Sequence, residues 1–199
     1  FNAVRQLMAA IVLLPPAMLS VRRNGYFSKT CNTGSEIRYK RNRLIGGSAV
    51  CGMFLLVGTA LQQLGLTTVS AGKSGFISAT YVVFVPLLGT LLGDKAGKKA
   101  VLCAAAALAG FAVMSLRFDG GMTRGDWQTL ISAVGFAAQM LAVNHFVDKD
   151  NSIMLSVLQL AFCSMAGLLI AVPAEHPAMS QIQAALPLLL YSTFVPTAI

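Results

Sequence analysis

The sequence predicts an all-α membrane protein, a polytopic transmembrane helical bundle with seven spans in 199 residues. Three observations carry that reading. Hydrophobic residues make up 56% of the chain and charged residues only 11%, with a mean hydropathy of +0.70. An ordinary soluble domain carries about 25% charged residues, so too few are present here to coat a water-facing surface. The charges also fall in short stretches between long apolar runs, as a hydrocarbon interior requires. Finally, basic residues alternate from loop to loop.

Spanning a bilayer takes about 20 mostly apolar residues. The runs that meet this length are residues 1–19, 44–64, 72–92, 100–116, 127–147, 153–172 and 182–199. No positively charged segment or cleavage site precedes the first run, so it does not read as a signal peptide. It opens on Phe1 rather than Met, and the last run stops at Ile199 without a basic flank. Both terminal spans are therefore expected to be cut.

The loops after the first, third and fifth spans carry eleven basic residues, and those after the second, fourth and sixth carry two. By the positive-inside rule the odd loops are cytoplasmic. The first span then starts outside, and one more span is expected before it. The net charge of +8 does not point to nucleic acid, because seven of the fifteen basic residues sit in one segment between two spans. These are Arg22, Arg23, Lys29, Arg38, Lys40, Arg41 and Arg43, expected in a long loop, 21–43, facing anionic lipid.

Small residues stud the spans, among them Gly46, Gly47, Gly52, Gly58, Gly75, Ala79, Ala106 and Gly110. They predict close helix–helix packing, since lipid supplies no hydrophobic drive between helices. Pro15, Pro16, Pro86, Pro187 and Pro196 lie within spans and are expected to kink them. Cys51, Cys103 and Cys163 read as small apolar residues and Cys31 as a loop residue, without metal-ligand spacing. A short V-x-Q-L pattern occurs at Val4–Leu7 in the first span and again at Val157–Leu160 in the sixth. An offset of five spans reverses orientation, as an inverted repeat requires.

Ionisable groups at membrane depth are costly and mark function. No Asp or Glu lies inside a predicted span, so no carboxylate relay is expected. Lys73 opens the third span and Arg5 lies near the outer end of the first; each is a candidate contact for an anionic solute or a snorkelling cation. Gln62 and Tyr81 complete the candidate binding set, with cross-helix bonding and packing as their alternative roles. Gln63 and Gln139 read as cross-helix bonding groups, Trp127 as an interfacial anchor, and Asn144 with His145 as an interfacial polar end. The two histidines, His145 and His176, lie near opposite membrane faces without an acid inside a span. No catalytic set, cofactor or metal is expected.

One stretch is more specific. Leu66-Thr67-Thr68-Val69-Ser70-Ala71, followed by Gly75-Phe76-Ile77 and Val85-Pro86-Leu87-Leu88-Gly89, resembles the EamA-type drug/metabolite transporters. In that family a span ends in an aliphatic-polar run, turns, and resumes in a helix that ends near a proline. Asn2–Ala10 is similar to the family's second helix, and Gly125–Gln139 to the helix opening its second repeat. The resemblance implies ten helices in two inverted five-helix repeats. Residues 1–120 would then hold helices two to five and residues 121–199 helices six to eight. It also implies a multi-pass secondary transporter of the plasma membrane that exports a small metabolite. Its partners would be the lipid bilayer and a small-molecule solute. An intramembrane lipid-modifying enzyme and a non-transporting scaffold are the alternatives.

Overall fold

A computed structural model describes residues 2–24, 34–93, 102–107, 109–110, 123–147 and 152–175. Every element among them is a helix: α1 (Asn2–Asn24), α2 (Gly34–Leu66), α3 (Ala71–Ala79), α4 (Tyr81–Leu91), α5 (102–107 and 109–110), α6 (Arg124–Phe146) and α7 (Ser152–Glu175). Five described segments are long and apolar enough to cross a membrane: Asn2–Leu19, Arg38–Leu66, Ala71–Leu91, Arg124–Phe146 and Ser152–Ile170. They coincide with the first, second, third, fifth and sixth predicted spans. The fourth is described only in α5, and the seventh lies outside the described residues. The chain is a multi-pass helical membrane protein.

Two elements differ from expectation. The segment expected as loop 21–43 is helical at both ends, because α1 runs on through Arg22 and Arg23 and α2 starts at Gly34. Arg38, Lys40, Arg41 and Arg43 are good helix formers, so the apolar run at Leu44 extends backwards into water without a breaker. α1 contains Pro15 and Pro16, residues that membrane helices tolerate when neighbours re-satisfy the freed carbonyls. The third span, by contrast, divides at Thr80. There the Ile77 carbonyl accepts both the Thr80 N–H (3.1 Å) and its hydroxyl (2.6 Å), and this back-bonding draws the carbonyl from the regular ladder.

The chain forms two compact units, Phe1–Leu56 with Ala142–Ile199, and Val57–Leu141; α2 and α6 each contribute to both. In the first, α1 packs along α7. Gln6, Ala9, Ala10 and Ala17 form its buried stripe, at the spacing of one helix face. A Cβ on Gly167 would stand 3.1 Å from the Ala3 Cβ, and one on Gly52 only 2.9 Å from the Gln159 carbonyl oxygen. Small residues thus let three backbones approach, as lipid-embedded packing favours. Leu44 and Leu155 centre an apolar cluster with Val143, Phe146, Val147, Met154 and Leu158. Arg43 donates to the His145 carbonyl at 3.2 Å, placing a cation at the C-terminal end of α6.

In the second unit, α6 buries Gly125, Asp126, Thr129, Ser132, Ala133 and Ala137 on one face and exposes Trp127, Ile131 and Met140 on the other. This is the reverse of a soluble helix. It recurs elsewhere: Ser48, Thr59, Ser74, Ser78 and Thr80 are buried, whereas Leu91, Leu92, Leu102 and Leu169 are at least 71% exposed. Apolar side chains face out because their solvent is hydrocarbon. The buried hydroxyls of Ser48, Ser78, Thr129 and Ser132 return to carbonyls three or four residues back at 2.6–2.8 Å, so each is satisfied within its own helix.

Candidate functional site: a buried polar string where α3 and α6 begin

Close backbone approach builds this site. A Cβ on Gly65 would collide with the Thr129 hydroxyl and stand 2.9 Å from the Gly125 carbonyl. One on Gly125 would meet the Thr68 hydroxyl and lie 2.7 Å from Val69. Glycine at both positions therefore lets the first turn of α6 slide beneath the turn between α2 and α3. That turn is internally bonded: the Thr67 hydroxyl donates to the Leu64 carbonyl at 2.7 Å, and the Val69 N–H to the Gly65 carbonyl at 3.0 Å. It carries the chain directly into α3, whose third residue is Lys73.

Lys73 meets Asp126. Its Nζ donates to Asp126 Oδ2 at 2.7 Å, with the lysine side chain 18% exposed and the aspartate 1%. Asp126 is also half of a capping box. Its Oδ2 accepts the Thr123 N–H at 2.8 Å, and its own N–H donates to the Thr123 hydroxyl at 3.3 Å. A carboxylate in the first turn of a helix complements the macrodipole, and a cation there opposes it. Lys73 in the first turn of α3 is thus unfavourable alone and is offset by Asp126. The acid that meets Lys73 comes from a segment 53 residues later in the chain, beyond the reach of any local reading of position 73.

A second bond carries the string along α3. Gln62 Nε2 donates to Ser78 Oγ at 2.8 Å, and the Ser78 hydroxyl donates to the Ser74 carbonyl at 2.8 Å. Lys73 and Gln62, two of the four candidate residues, thus both bond in this unit, Lys73 at the start of α3 and Gln62 to Ser78 near its end. Tyr81 opens α4 just beyond, half-buried. Arg5 belongs to the other unit, on α1. Asp126 Oδ1 and Ser74 Oγ are buried without a hydrogen-bond partner among the described residues. The string therefore has both a closed ion pair and open acceptor capacity. Among the described residues no three His, Cys, Asp or Glu side chains converge as metal ligands would.

Sequence reasoning passed over Asp126, Thr123 and Ser78. A signal for the first two was present: Thr123-Arg124-Gly125-Asp126 has the spacing of a capping box just before an apolar run. His145 is exposed at the end of α6, in edge contact with Phe146 at 4.9 Å between ring centres. Trp127 is 53% exposed at the opposite end, as an interfacial anchor would be.

Comparison with known proteins bears on all of this. An uncharacterized transporter of Archaeoglobus fulgidus is 31% identical over 109 residues, which is 54% of this chain and 35% of that protein. The matched stretch thus spans about a third of that relative's length. No solved structure matches the chain significantly. The EamA-like transporter family matches residues 1–116, which include α1 to α4 and the Lys73 turn; the similarity noted at Gly125–Gln139 lies beyond them. With more than half of its length matched, this chain belongs to the EamA-like transporter family.

Proposed function

We propose that this protein is a secondary transporter of the plasma membrane. It exports a small metabolite or amino acid by alternating access between two inverted repeats. Residues 1–120 belong to the first repeat and 121–199 to the second. It performs no chemistry of its own. Beyond the family, the observation that supports the reading is the Lys73–Asp126 pair, an ionised pair held at the edge of two membrane helices. Ionisable residues within membrane helices commonly mark solute and ion pathways, because desolvating a charge is costly. Lys73 and Gln62 contact the solute, with Tyr81 beside them. An anionic solute group would exchange with Asp126 for the lysine as the helices rearrange.

Flux of amino acids in proteoliposomes tests this. Lys73→Met with Asp126→Leu removes both charges and leaves a packed apolar pair. If Lys73 engages solute, flux falls by about 10–150-fold, the equivalent of one charge-assisted bond at about 1.5–3 kcal/mol. Wild-type flux in the double variant would make the pair a strut only. Lipid turnover abolished by His145→Ala would replace transport with an intramembrane enzyme. Orientation has its own test in a background without native cysteines. An impermeant thiol reagent should label Ser70→Cys, and should reach Ser35→Cys only after the cells are opened.

A further inference from the structure

We infer that Arg5, Gln6 and Ser164 form a binding layer between α1 and α7 for a small acid, one whose carboxylate stands beside a hydrogen-bond donor. The inference rests on the transport reading for what the ligand is, and on the helix pair for where it binds.

The register comes first. Along α2, Gly52 faces Gln159 to Cys163 and Leu56 faces Gly167, so α2 and α7 run parallel. Successive membrane spans run in opposite directions, so α1 is antiparallel to both. Ala3 touches Gly167. One turn onward along α1 is Gln6, and one turn back along α7 is Ser164, so the two come level on the facing stripes. Both are deeply buried, at 5% and 0% exposure.

Neither finds a partner. Gln6 Oε1, Ser164 Oγ and the adjoining Arg5 Nε are all buried and unbonded among the described residues. Most buried hydroxyls bond back into their own helices, those of Ser48, Ser78, Thr80, Thr129 and Ser132 among them; Ser164, like Ser74 in the other unit, does not. An unmet polar group within hydrocarbon is costly. Three at one level point to a group that arrives from outside the chain.

The donor set names that group. Arg5 is permanently cationic and offers N–H donors only, Ser164 offers O–H, and Gln6 Oε1 needs a donor. No acid lies on α1. Glu175 ends α7, about 15 Å of helix rise beyond the level of Arg5, and Glu36 lies about 30 Å before Leu56 on α2. A carboxylate facing Arg5 and Ser164, with an adjacent amine or hydroxyl facing Gln6, meets every requirement. The ligand class is an α-amino or α-hydroxy acid.

The test uses the full chain with its native cysteines replaced by alanine and Ser164→Cys added. Each variant is first checked for a monodisperse elution profile, and the cysteine-free parent is the blank. An anionic methanethiosulfonate (sulfonatoethyl) should modify the introduced thiol about tenfold faster than its cationic aminoethyl counterpart, after correction for their rates with a free thiol. Arg5→Gln and, independently, Gln6→Glu should each remove that preference, the second by giving Arg5 an internal carboxylate. A mixture of L-amino acids should slow the reaction, and the matching amino-acid amides should not. Equal rates with both reagents would reduce the layer to trapped water and overturn the inference. So would no reaction with either reagent, or equal protection by the amides. Loss of proteoliposome flux with the anionic preference intact would remove the transport reading and leave the site standing. Flux without that preference would remove the site alone.

Discussion

At the start of α3 and α6, Lys73 meets Asp126 at 2.7 Å and Thr123 closes a capping box on the same carboxylate. Between α1 and α7, by contrast, the Arg5 Nε, the Gln6 carbonyl oxygen and the Ser164 hydroxyl are buried without partners. Both clusters place a basic residue among small residues. They differ in whether a later segment supplies an acid. In the first, Asp126 arrives because Gly65 and Gly125 let two backbones nearly touch. In the second, every side chain of α7 at the facing level is neutral among the described residues. Composition around a buried cation therefore says little about its role. What distinguishes the two is whether an acid has already answered the charge: a solute reaching Lys73 must displace Asp126, whereas one reaching Arg5 displaces no acid.

The comparison breaks most readily at Lys73. Lys73→Ala leaves a carboxylate of 1% exposure without its cation, and removing one partner of a buried pair costs about 3–5 kcal/mol. The thermal midpoint of the detergent-purified protein should fall accordingly. The double variant Lys73→Met with Asp126→Leu should recover most of that loss, since packed apolar pairs often match buried ion pairs. An unchanged midpoint in the single variant would mean that the pair does not hold the unit together.

Next in size is the glycine crossing that brings Asp126 into place. Gly65→Ala and Gly125→Ala each push a methyl into backbone or hydroxyl oxygens, and such overpacking costs about 1–3 kcal/mol. Gly46→Ala and Gly72→Ala open onto empty space and should stay within about 0.5 kcal/mol of the parent. Equal midpoints for all four variants would contradict the crossing. Smaller again is the cap. Thr123→Ala removes the hydroxyl that accepts the Asp126 N–H and should cost about 1 kcal/mol, visible as faster amide exchange in the first turn of α6.

The smallest effect is expected at the open cluster, and its sign is the informative part. Ser164→Ala deletes a buried hydroxyl that bonds nothing. Stability should hold or rise by less than about 1 kcal/mol, because an unmet desolvated group disappears. A loss as large as that of Thr123→Ala would show that Ser164 has a structural partner, and the contrast between the two clusters would collapse.

The limits of sequence reading show in particular residues. The spans at 44–64, 127–147 and 153–172 fall within α2, α6 and α7, because twenty consecutive apolar residues have one stable form in hydrocarbon, a helix with its backbone bonded internally. Helix ends were less legible. Residues 35–43 are mostly polar, yet they extend α2 because helix formers without glycine or proline do not stop a helix that has already nucleated. The V-x-Q-L likeness between α1 and α7, faint as sequence, falls on two helices that pack against each other.

That this chain crosses a membrane many times, and which residues are available to a site, can be read from its amino acids alone. Hydropathy and charge act locally, so they can be read along the chain. Which of those residues are already answered depends on how the helices pack. Lys73 and Asp126 are separated by 53 positions, and whether they meet depends on the absence of two Cβ atoms at a helix crossing. Gln6 and Ser164 come level only because α1 and α7 lie antiparallel with Ala3 against Gly167. Partnership between helices is set by register and backbone distance, and neither has a local signature in the sequence.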